Sequence, residues 1–158
     1  MFGLFKKIVD INNTISAPVD GIFVKMEDVP DPVFAQKMMG DGFAVKPSQT
    51  TVYSPVCGKV TSIFPTKHAI GIESDSGREL IVHMGVDTVS LSGKPFKIYV
   101  NKGDTVTQAS KLAKVDLGML AVEGREDVII VAFPGASAEE LKLGSFTSVT
   151  AGMAVGQL

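Results

Sequence analysis

The sequence has 158 residues, enough for one domain with a sizeable hydrophobic core, and its 15 basic and 17 acidic side chains leave a net charge of −2. This balance excludes a general electrostatic attraction to nucleic acid. The single Cys57 excludes an intramolecular disulfide. Because the sequence shows neither a signal peptide nor an apolar run of membrane-spanning length, we expect a cytoplasmic protein.

The N-terminal segment is apolar and basic and differs from the rest of the chain. Apolar residues at positions 2, 5, 8 and 9 beside two lysines would suit a short amphipathic helix in weak contact with a membrane surface. A frayed terminus is the simpler interpretation, because a helix this short is marginal on its own. We therefore predict a flexible or weakly amphipathic segment at 1–13 and a single domain at 14–158.

A short pattern occurs twice in the first half of the chain. Ala17-Pro18-Val19-Asp20-Gly21-Ile22 is followed 37 positions later by Ser54-Pro55-Val56-Cys57-Gly58-Lys59. In both copies Pro-Val-x-Gly precedes an alternating, strand-like run, with Pro at a strand start and Gly at a bend or bulge. The pattern predicts a duplicated supersecondary unit, although chance recurrence in a β protein would produce the same pair.

The segment between the copies has the best helical signals in the chain. Asp31 is a candidate N-cap, Pro32 suits the first helical position, and Gly40 suits the residue after the end. Phe34 and Met38 would then share a helix face. From spacing alone, we expect that face to pack on the core.

The remaining elements are mainly short strands. The run Val128–Phe133 is apolar throughout and predicts a strand buried on both faces, and Ser137 to Glu140 forms a capping box for a single helical turn. We therefore predict an all-β fold, an antiparallel β-sandwich or barrel-sandwich with a few single-turn helices.

The chain's only two histidines, His68 and His83, lie on either side of the polar cluster 74–77. Apolar runs on both sides of that cluster predict a β-hairpin. With Asp75 and Ser76 as a two-residue turn, paired residues have numbers that sum to 151, and the histidines face each other. The same sheet face would then carry Phe64, Thr66, Ile70 and Ile81. A three-residue connection with Gly77 in a bulge would shift the register by one residue.

Two facing imidazoles favour phosphoryl transfer. One ring nitrogen can attack a phosphoryl group and hold it as phosphohistidine, while the other ring and the Thr66 hydroxyl hydrogen-bond to the site. A neutral imidazole keeps a lone pair at neutral pH, which suits reversible transfer. The sequence shows no Gly-rich phosphate loop, which agrees with a phosphoprotein donor rather than a nucleotide.

Other interpretations of the pair remain open. Both rings could bind zinc, since His83-Met84-Gly85-Val86-Asp87 matches the His-x-Gly-x-Asp element of a zinc endopeptidase family, but that family also needs a later His-x-His pair that is absent. The strand-turn elements also resemble those of biotin- and lipoyl-bearing domains, without a recognisable attachment lysine. Both histidines could instead be ordinary core or surface residues.

Six motifs resemble those of the glucose-type enzyme IIA (EIIA) family of the bacterial phosphoenolpyruvate-dependent sugar phosphotransferase system. They span about residues 14 to 117 in the expected order. The motifs are Ala17–Gly21, Gly40–Ala44, Ser54–Gly58, Thr66–Ala69, Ile72–Gly77 and Val82–Val89. The tail after residue 118 aligns only loosely. The resemblance implies a β-sandwich with both histidines in a shallow apolar depression.

The resemblance also assigns roles to the site residues. His83 matches the phosphorylated histidine, which accepts the phosphoryl group from the phosphocarrier protein HPr as tele-phosphohistidine and passes it to a cysteine of a sugar permease's IIB domain. His68 matches the histidine that hydrogen-bonds the phosphoryl group, and Thr66 matches the threonine that orients the pair. No cofactor is required, although zinc bridges the histidine pair in one regulatory complex of the family.

The family's partner-binding face provides further expectations. Apolar positions lining it match Phe34, Phe64, Ile70 and Ile81, which replaces the expectation that Phe34 is simply core. Asp31 and Asp87 match acidic positions that meet arginines of the phosphocarrier. Some family members also bind regulatory targets. The predicted function is therefore a cytoplasmic phosphoryl carrier in glucose-type sugar uptake, with a zinc-dependent hydrolase as the alternative.

Overall fold

A computed structural model describes residues 10–158, with side chains from residue 12 onward. The strands are β1 (Thr14–Ser16), β2 (Gly21–Lys25), β3 (Asp41–Pro47), β4 (Thr51–Tyr53), β5 (Gly58–Ile63), β6 (Ala69–Ser74), β7 (Glu79–Met84), β8 (Phe96–Ile98), β9 (Thr105–Val106), β10 (Lys111–Val115), β11 (Ile129–Phe133), β12 (Ser148–Val149) and β13 (Ala154–Gln157). The α-helices are α1 (Pro32–Ala35) and α2 (Leu117–Val122), and 3-10 turns cover Asp10–Asn13, Met26–Asp28 and Thr88–Leu91.

These strands form three antiparallel sheets, which confirms the predicted fold class. The largest has the order β12-β2-β3-β11-β7-β6-β5-β9, the second β4-β10-β8 and the third β1-β13. The main core lies between the sheets and is built from residues such as Phe43, Ile72 and Leu112, which are fully or almost fully buried. Strand β11 is buried at every position, as its continuous apolar run predicted.

The repeated motif marks a real structural duplication. The Ser16 N–H donates to the Pro55 carbonyl over 2.7 Å, and the equivalent Tyr53 N–H donates to the Pro18 carbonyl over 2.7 Å. The pairings correspond as well: Thr14 pairs with Gln157 and Thr51 with Lys114, while Ser16 pairs with Ala154 and Tyr53 with Lys111, each after an irregularity at the same place. The two units therefore exchange hydrogen bonds around a local two-fold axis.

Both repeat glycines are required by close packing. A Cβ atom on Gly21 would lie 2.0 Å from the Lys46 carbonyl oxygen, and one on Gly58 would lie 2.1 Å from the Glu73 carbonyl oxygen. At these positions a neighbouring strand passes directly over the backbone, so no side chain fits.

The predicted helix after Asp31 is shorter than expected. Asp31 is the N-cap as predicted, since its side chain accepts from the Val33 N–H over 2.8 Å. The helix ends at Ala35 rather than near Gly40, because Lys37 adopts a left-handed conformation with φ of 61°. Met38 is consequently 69% exposed and does not share the buried face of Phe34.

A second apolar cluster covers the other face of the large sheet. It contains Met26, Val29, Phe34, Ala44, Val86, Val128, Ile130 and Ala132. His83 pairs with Ile130, so its side chain lies on this face and not in the main core. Helix α1 contributes Phe34 to the cluster and lies beside the histidine.

The predicted register of the β6–β7 hairpin is wrong by one residue. Ala69 pairs with His83 and Gly71 with Ile81, so paired residue numbers sum to 152. The reason is the three-residue connection Asp75–Gly77, closed by the Ser74 N–H to the Arg78 carbonyl and by Gly77 at φ of 88°. The sequence permits both connections, and the structure has the three-residue one with Gly77 in the bulge.

The altered register moves Ile70 to the opposite face. Ile70 pairs with Val82 and is fully buried in the main core. Its predicted place on the partner-binding face is therefore wrong. Ile81 remains on the histidine face and is partly exposed.

The proposed amphipathic segment falls on residues outside those described, apart from the 3-10 turn Asp10–Asn13. The division of the chain at residue 14 remains a prediction. Among residues 10–158, no helix has both the length and the apolar character needed to cross a membrane.

Replacing Gly58 with alanine should destabilise the domain by about 2–4 kcal/mol, because the new Cβ would collide with the Glu73 backbone. Urea denaturation of the full chain measures the free energy of unfolding. Gly118→Ala is the matched control: its Cβ would come no nearer than 3.4 Å to Asp116 and lies within α2, where alanine is favoured. Equal stability of Gly58→Ala and wild type would contradict the predicted collision.

Candidate active site

The two imidazoles meet, but not through direct strand pairing. His68 lies one residue before β6, where Lys67 has a left-handed φ of 60° and its N–H donates to the Phe64 carbonyl over 2.7 Å. This turn leads into β6 so that the His68 ring lies 5.0 Å from the His83 ring, centroid to centroid, at 76°. The predicted pair is therefore present, although the register proposed for it was wrong.

Four rings form a continuous row on this face. The Phe34 centroid lies 4.9 Å from that of His83, and the Phe64 centroid lies 5.4 Å from that of His68. His68 is only 8% exposed, while Phe64 at 36% is open to solvent. The histidines thus lie between the buried Phe34 and the exposed Phe64.

The Gly85 carbonyl determines the protonation pattern of His83. It lies 2.8 Å from Nδ1 of the ring. A carbonyl oxygen can only accept, so Nδ1 carries the proton and Nε2 keeps its lone pair. Sequence reasoning did not assign Gly85 a role in the site, although its place in His-x-Gly-x-Asp was a usable signal.

Gly85 is held in place by its own surroundings. Its φ is 79°, and a Cβ atom would lie 2.5 Å from Thr88 Cγ2 and 2.8 Å from the Glu126 carbonyl oxygen. Its N–H donates to the Val128 carbonyl over 2.8 Å. Glycine is therefore needed here for both conformation and space.

Thr66 contacts the second histidine. Its Oγ1 lies 2.5 Å from Nδ1 of His68, so the pair of side chains identified from the sequence is hydrogen-bonded. When the hydroxyl donates to Nδ1, the proton of a neutral His68 ring lies on Nε2. That tautomer presents a hydrogen-bond donor at the far side of the ring.

Most of the chain matches a known protein family. The model of the EIIA 1 component of the phosphoenolpyruvate-dependent sugar phosphotransferase system matches residues 13–138. The chain belongs to this family. It is accordingly a phosphotransferase component with the role of a phosphoryl carrier.

Similar proteins agree with membership of the EIIA family. The chain is 46% identical over 150 residues to the glucose-specific EIICBA component of Streptococcus pneumoniae, covering 94% of this chain but 21% of that protein. It is 51% identical over 117 residues to the glucose-specific EIIA component of Staphylococcus epidermidis, covering 74% of this chain and 70% of that protein. The solved glucose permease IIA from Mycoplasma capricolum superposes with a TM-score of 0.81 at 37% identity, covering 90% of this chain and 93% of that one.

Both EIIA histidines favour the neutral form. Burial, and secondarily the neighbouring His68, lowers the pKa of His83 from 6.5 to about 4, against smaller opposing effects of the Gly85 carbonyl, Asp31 and Asp87. Burial also lowers the pKa of His68. At neutral pH both rings are uncharged, and the Nε2 lone pair of His83 is available.

The predicted acidic residues lie around the EIIA site. Asp31 uses one carboxylate oxygen to cap α1, and both Asp31 and Asp87 lie close enough to raise the pKa of His83. Asp87 is exposed and adopts a left-handed conformation, with φ of 57°. Among the residues with described side chains, no group of three or more His, Cys, Asp or Glu could hold a metal ion.

The low pKa of His83 should appear in the pH dependence of stability. Between about pH 4 and 6.5, the unfolded chain binds a proton at His83 and the native protein does not. The free energy of unfolding is therefore at its full value above pH 6.5 and decreases as the pH falls towards 4. The loss should be on the order of 2–3 kcal/mol. Urea unfolding at several pH values should show it in wild type and not in His83→Gln. Parallel pH profiles of the two proteins would contradict a low native pKa.

Proposed function

We propose that His83 Nε2 is the phosphoacceptor of this EIIA component. The observation that supports this proposal most directly is the hydrogen bond from His83 Nδ1–H to the Gly85 carbonyl, 2.8 Å long, because it leaves Nε2 as the nucleophilic nitrogen. The donor would be the phosphohistidine of the phosphocarrier HPr, and the acceptor a cysteine on the IIB domain of a sugar permease.

The proposed transfer balances without a metal or nucleotide. The Nε2 lone pair attacks phosphorus, the donor's P–N bond breaks, and its electron pair returns to the donor histidine. The His83 ring then carries a proton on Nδ1 and a phosphoryl group on Nε2, and its positive charge is stabilised by the Gly85 carbonyl. In the second step a cysteine thiolate attacks phosphorus and His83 regains the neutral form.

His68 and Thr66 would act on the phosphoryl oxygens and the leaving group. With Thr66 donating to Nδ1, His68 presents Nε2–H towards the group held on His83, whose ring centroid is 5.0 Å away. A hydrogen bond to a phosphoryl oxygen offsets charge that develops during transfer. We therefore assign His68 to phosphoryl stabilisation and onward transfer, and Thr66 to orientation of His68.

The face around the rings would receive both protein partners in turn. Phe64 and Ile81 offer accessible apolar surface, while Phe34 is buried and contacts the His83 ring. Asp31 and Asp87 at the rim would meet basic side chains of the phosphocarrier, which requires only local charge complementarity. An apolar docking face also excludes water from the phosphoryl group while a partner is bound.

The sugar and the cellular location are also part of the proposal. The names of the similar Streptococcus and Staphylococcus proteins specify glucose. We propose glucose-type uptake, with the chain acting on the cytoplasmic side of the permease. The comparisons provide no support for the zinc hydrolase alternative.

Phosphorylation of three proteins tests the proposal: wild type, His83→Gln and His68→Gln, each incubated with phosphoenolpyruvate, enzyme I and HPr. Wild type and His68→Gln should gain one acid-labile phosphoryl group by intact mass, with a phosphohistidine signal in phosphorus NMR, and His83→Gln should gain none. His68→Gln should then fail to pass the group to IIB. Phosphorylated His83→Gln, or unmodified wild type alongside an active control EIIA, would overturn the assignment.

Removal of the Thr66 hydroxyl should affect onward transfer more than acceptance. In Thr66→Val, His68 loses its Nδ1 partner, so the rate of transfer to IIB should fall about tenfold while His83 is still phosphorylated. Thr66→Ser keeps the hydroxyl and should stay close to wild type. Rapid-quench measurement of both half-reactions separates the two steps. Equal rates for the valine and serine variants would contradict the orienting role.

A further inference from the structure

Arg125 connects two segments next to the active site. Its Nε donates to the Asp87 carbonyl over 3.1 Å, Nη1 to the Glu123 carbonyl over 3.0 Å, and Nη2 to Ser90 Oγ over 3.2 Å. We call residues 85–90 the histidine loop and residues 123–127 the facing turn. Two of these hydrogen bonds join the facing turn to the histidine loop, and the third, to Glu123, lies within the facing turn.

The histidine loop carries two groups that act on His83. It begins with Gly85, whose carbonyl accepts from Nδ1, and it includes Asp87 at the rim of the site. Backbone hydrogen bonds already attach its start: the Gly85 N–H donates to Val128 and the Val86 N–H donates to Glu126. The side chain of Arg125 attaches the following part of the loop, from Asp87 to Ser90.

The contact with Arg125 leaves the Asp87 carboxylate available to a binding partner. Arg125 binds the backbone carbonyl of Asp87, and among the residues with described side chains no ion pair includes this aspartate. Ser90 Oγ also donates to the Asp87 carbonyl over 3.0 Å, so two side chains converge on one backbone oxygen. Together they hold Asp87 in its left-handed conformation, which few non-glycine residues adopt.

We propose that Arg125 is a positioning residue for phosphoryl transfer, holding the histidine loop so that the Gly85 carbonyl selects the Nδ1–H tautomer of His83 and Asp87 faces the incoming partner. This inference rests on the proposed role of His83 as phosphoacceptor. The hydrogen bonds of Arg125 reach Asp87, Ser90 and Glu123, and none of them reaches His83. Its effect passes through the backbone of residues 85–87.

The chain provides a matched control. Arg78 is the only other arginine in the sequence, and it forms an ion pair with Glu140 over 3.1 Å at the opposite end of β7. Arg78→Met removes a surface arginine with the same change in charge and without touching the histidine loop. Arg125→Lys keeps the charge of Arg125 but cannot reproduce a three-donor contact.

The test compares wild type, Arg125→Met, Arg125→Lys and Arg78→Met. Arg125→Met should lower kcat/KM for phosphorylation by HPr about tenfold or more, since small displacements of reacting groups are costly. Nitrogen NMR of the His83 ring should show a smaller Nδ1–H population and an altered titration. Arg125→Lys should lie between wild type and Arg125→Met, and Arg78→Met within about twofold of wild type.

Two results would overturn the inference. The first is a kcat/KM for phosphorylation of Arg125→Met within about twofold of wild type. The second is a lower kcat/KM with an unchanged His83 tautomer, which would indicate a structural role only. If Arg125→Met does not fold, Ser90→Ala replaces it in the test, because this variant removes one acceptor of Arg125. Ser90→Ala should change the His83 tautomer population and the phosphorylation rate in the same direction by a smaller factor. A wild type that gains no phosphoryl group would instead refute the proposed function, while the tautomer comparison still tests the positioning.

Discussion

The hydrogen bond between His83 Nδ1 and the Gly85 carbonyl is the constraint on which the site depends. Because a carbonyl accepts and never donates, this single contact decides which ring nitrogen keeps a lone pair. The carbonyl is in place only because Gly85 adopts a positive φ, fits closely against Thr88 and donates its N–H to Val128, the residue before the strand that pairs with β7. The chemistry of one side chain is therefore determined by the backbone of a loop and a neighbouring strand.

Burial of the histidines serves reactivity at some cost in stability at low pH. Removing His83 from water lowers its pKa, which keeps the ring neutral and nucleophilic over the neutral range. The nearby carboxylates of Asp31 and Asp87 raise the pKa of His83 and so limit this decrease. This balance suits the proposed carrier role, in which the ring would bear positive charge when phosphorylated and would then release its phosphoryl group.

The sequence predicted which side chains come together better than it predicted the local geometry that joins them. The contact of Thr66 with His68 and the N-cap at Asp31 could be recognised because each joins residues two positions apart, and the histidine pair because a predicted hairpin brings both rings together. The register failed because Gly77 permits two turn types, and the one adopted placed Ile70 in the core. Arg125 could not be found in this way, since its contacts join loops 35 or more positions apart and no periodicity records such a pairing.

The duplicated framework places different side chains at equivalent positions of its two halves. In the large sheet the order β12-β2-β3-β11 mirrors β9-β5-β6-β7, and the two-fold relation places Ala132 where the other half has His83 and Asp41 where it has His68. Asp41 is 6% exposed and is occupied with local hydrogen bonds to Gly42 and Ala138. Equivalent strands thus give both halves the same support. The candidate site arises from side chains at the ends of β6 and β7, which differ from those at the equivalent positions of the other half.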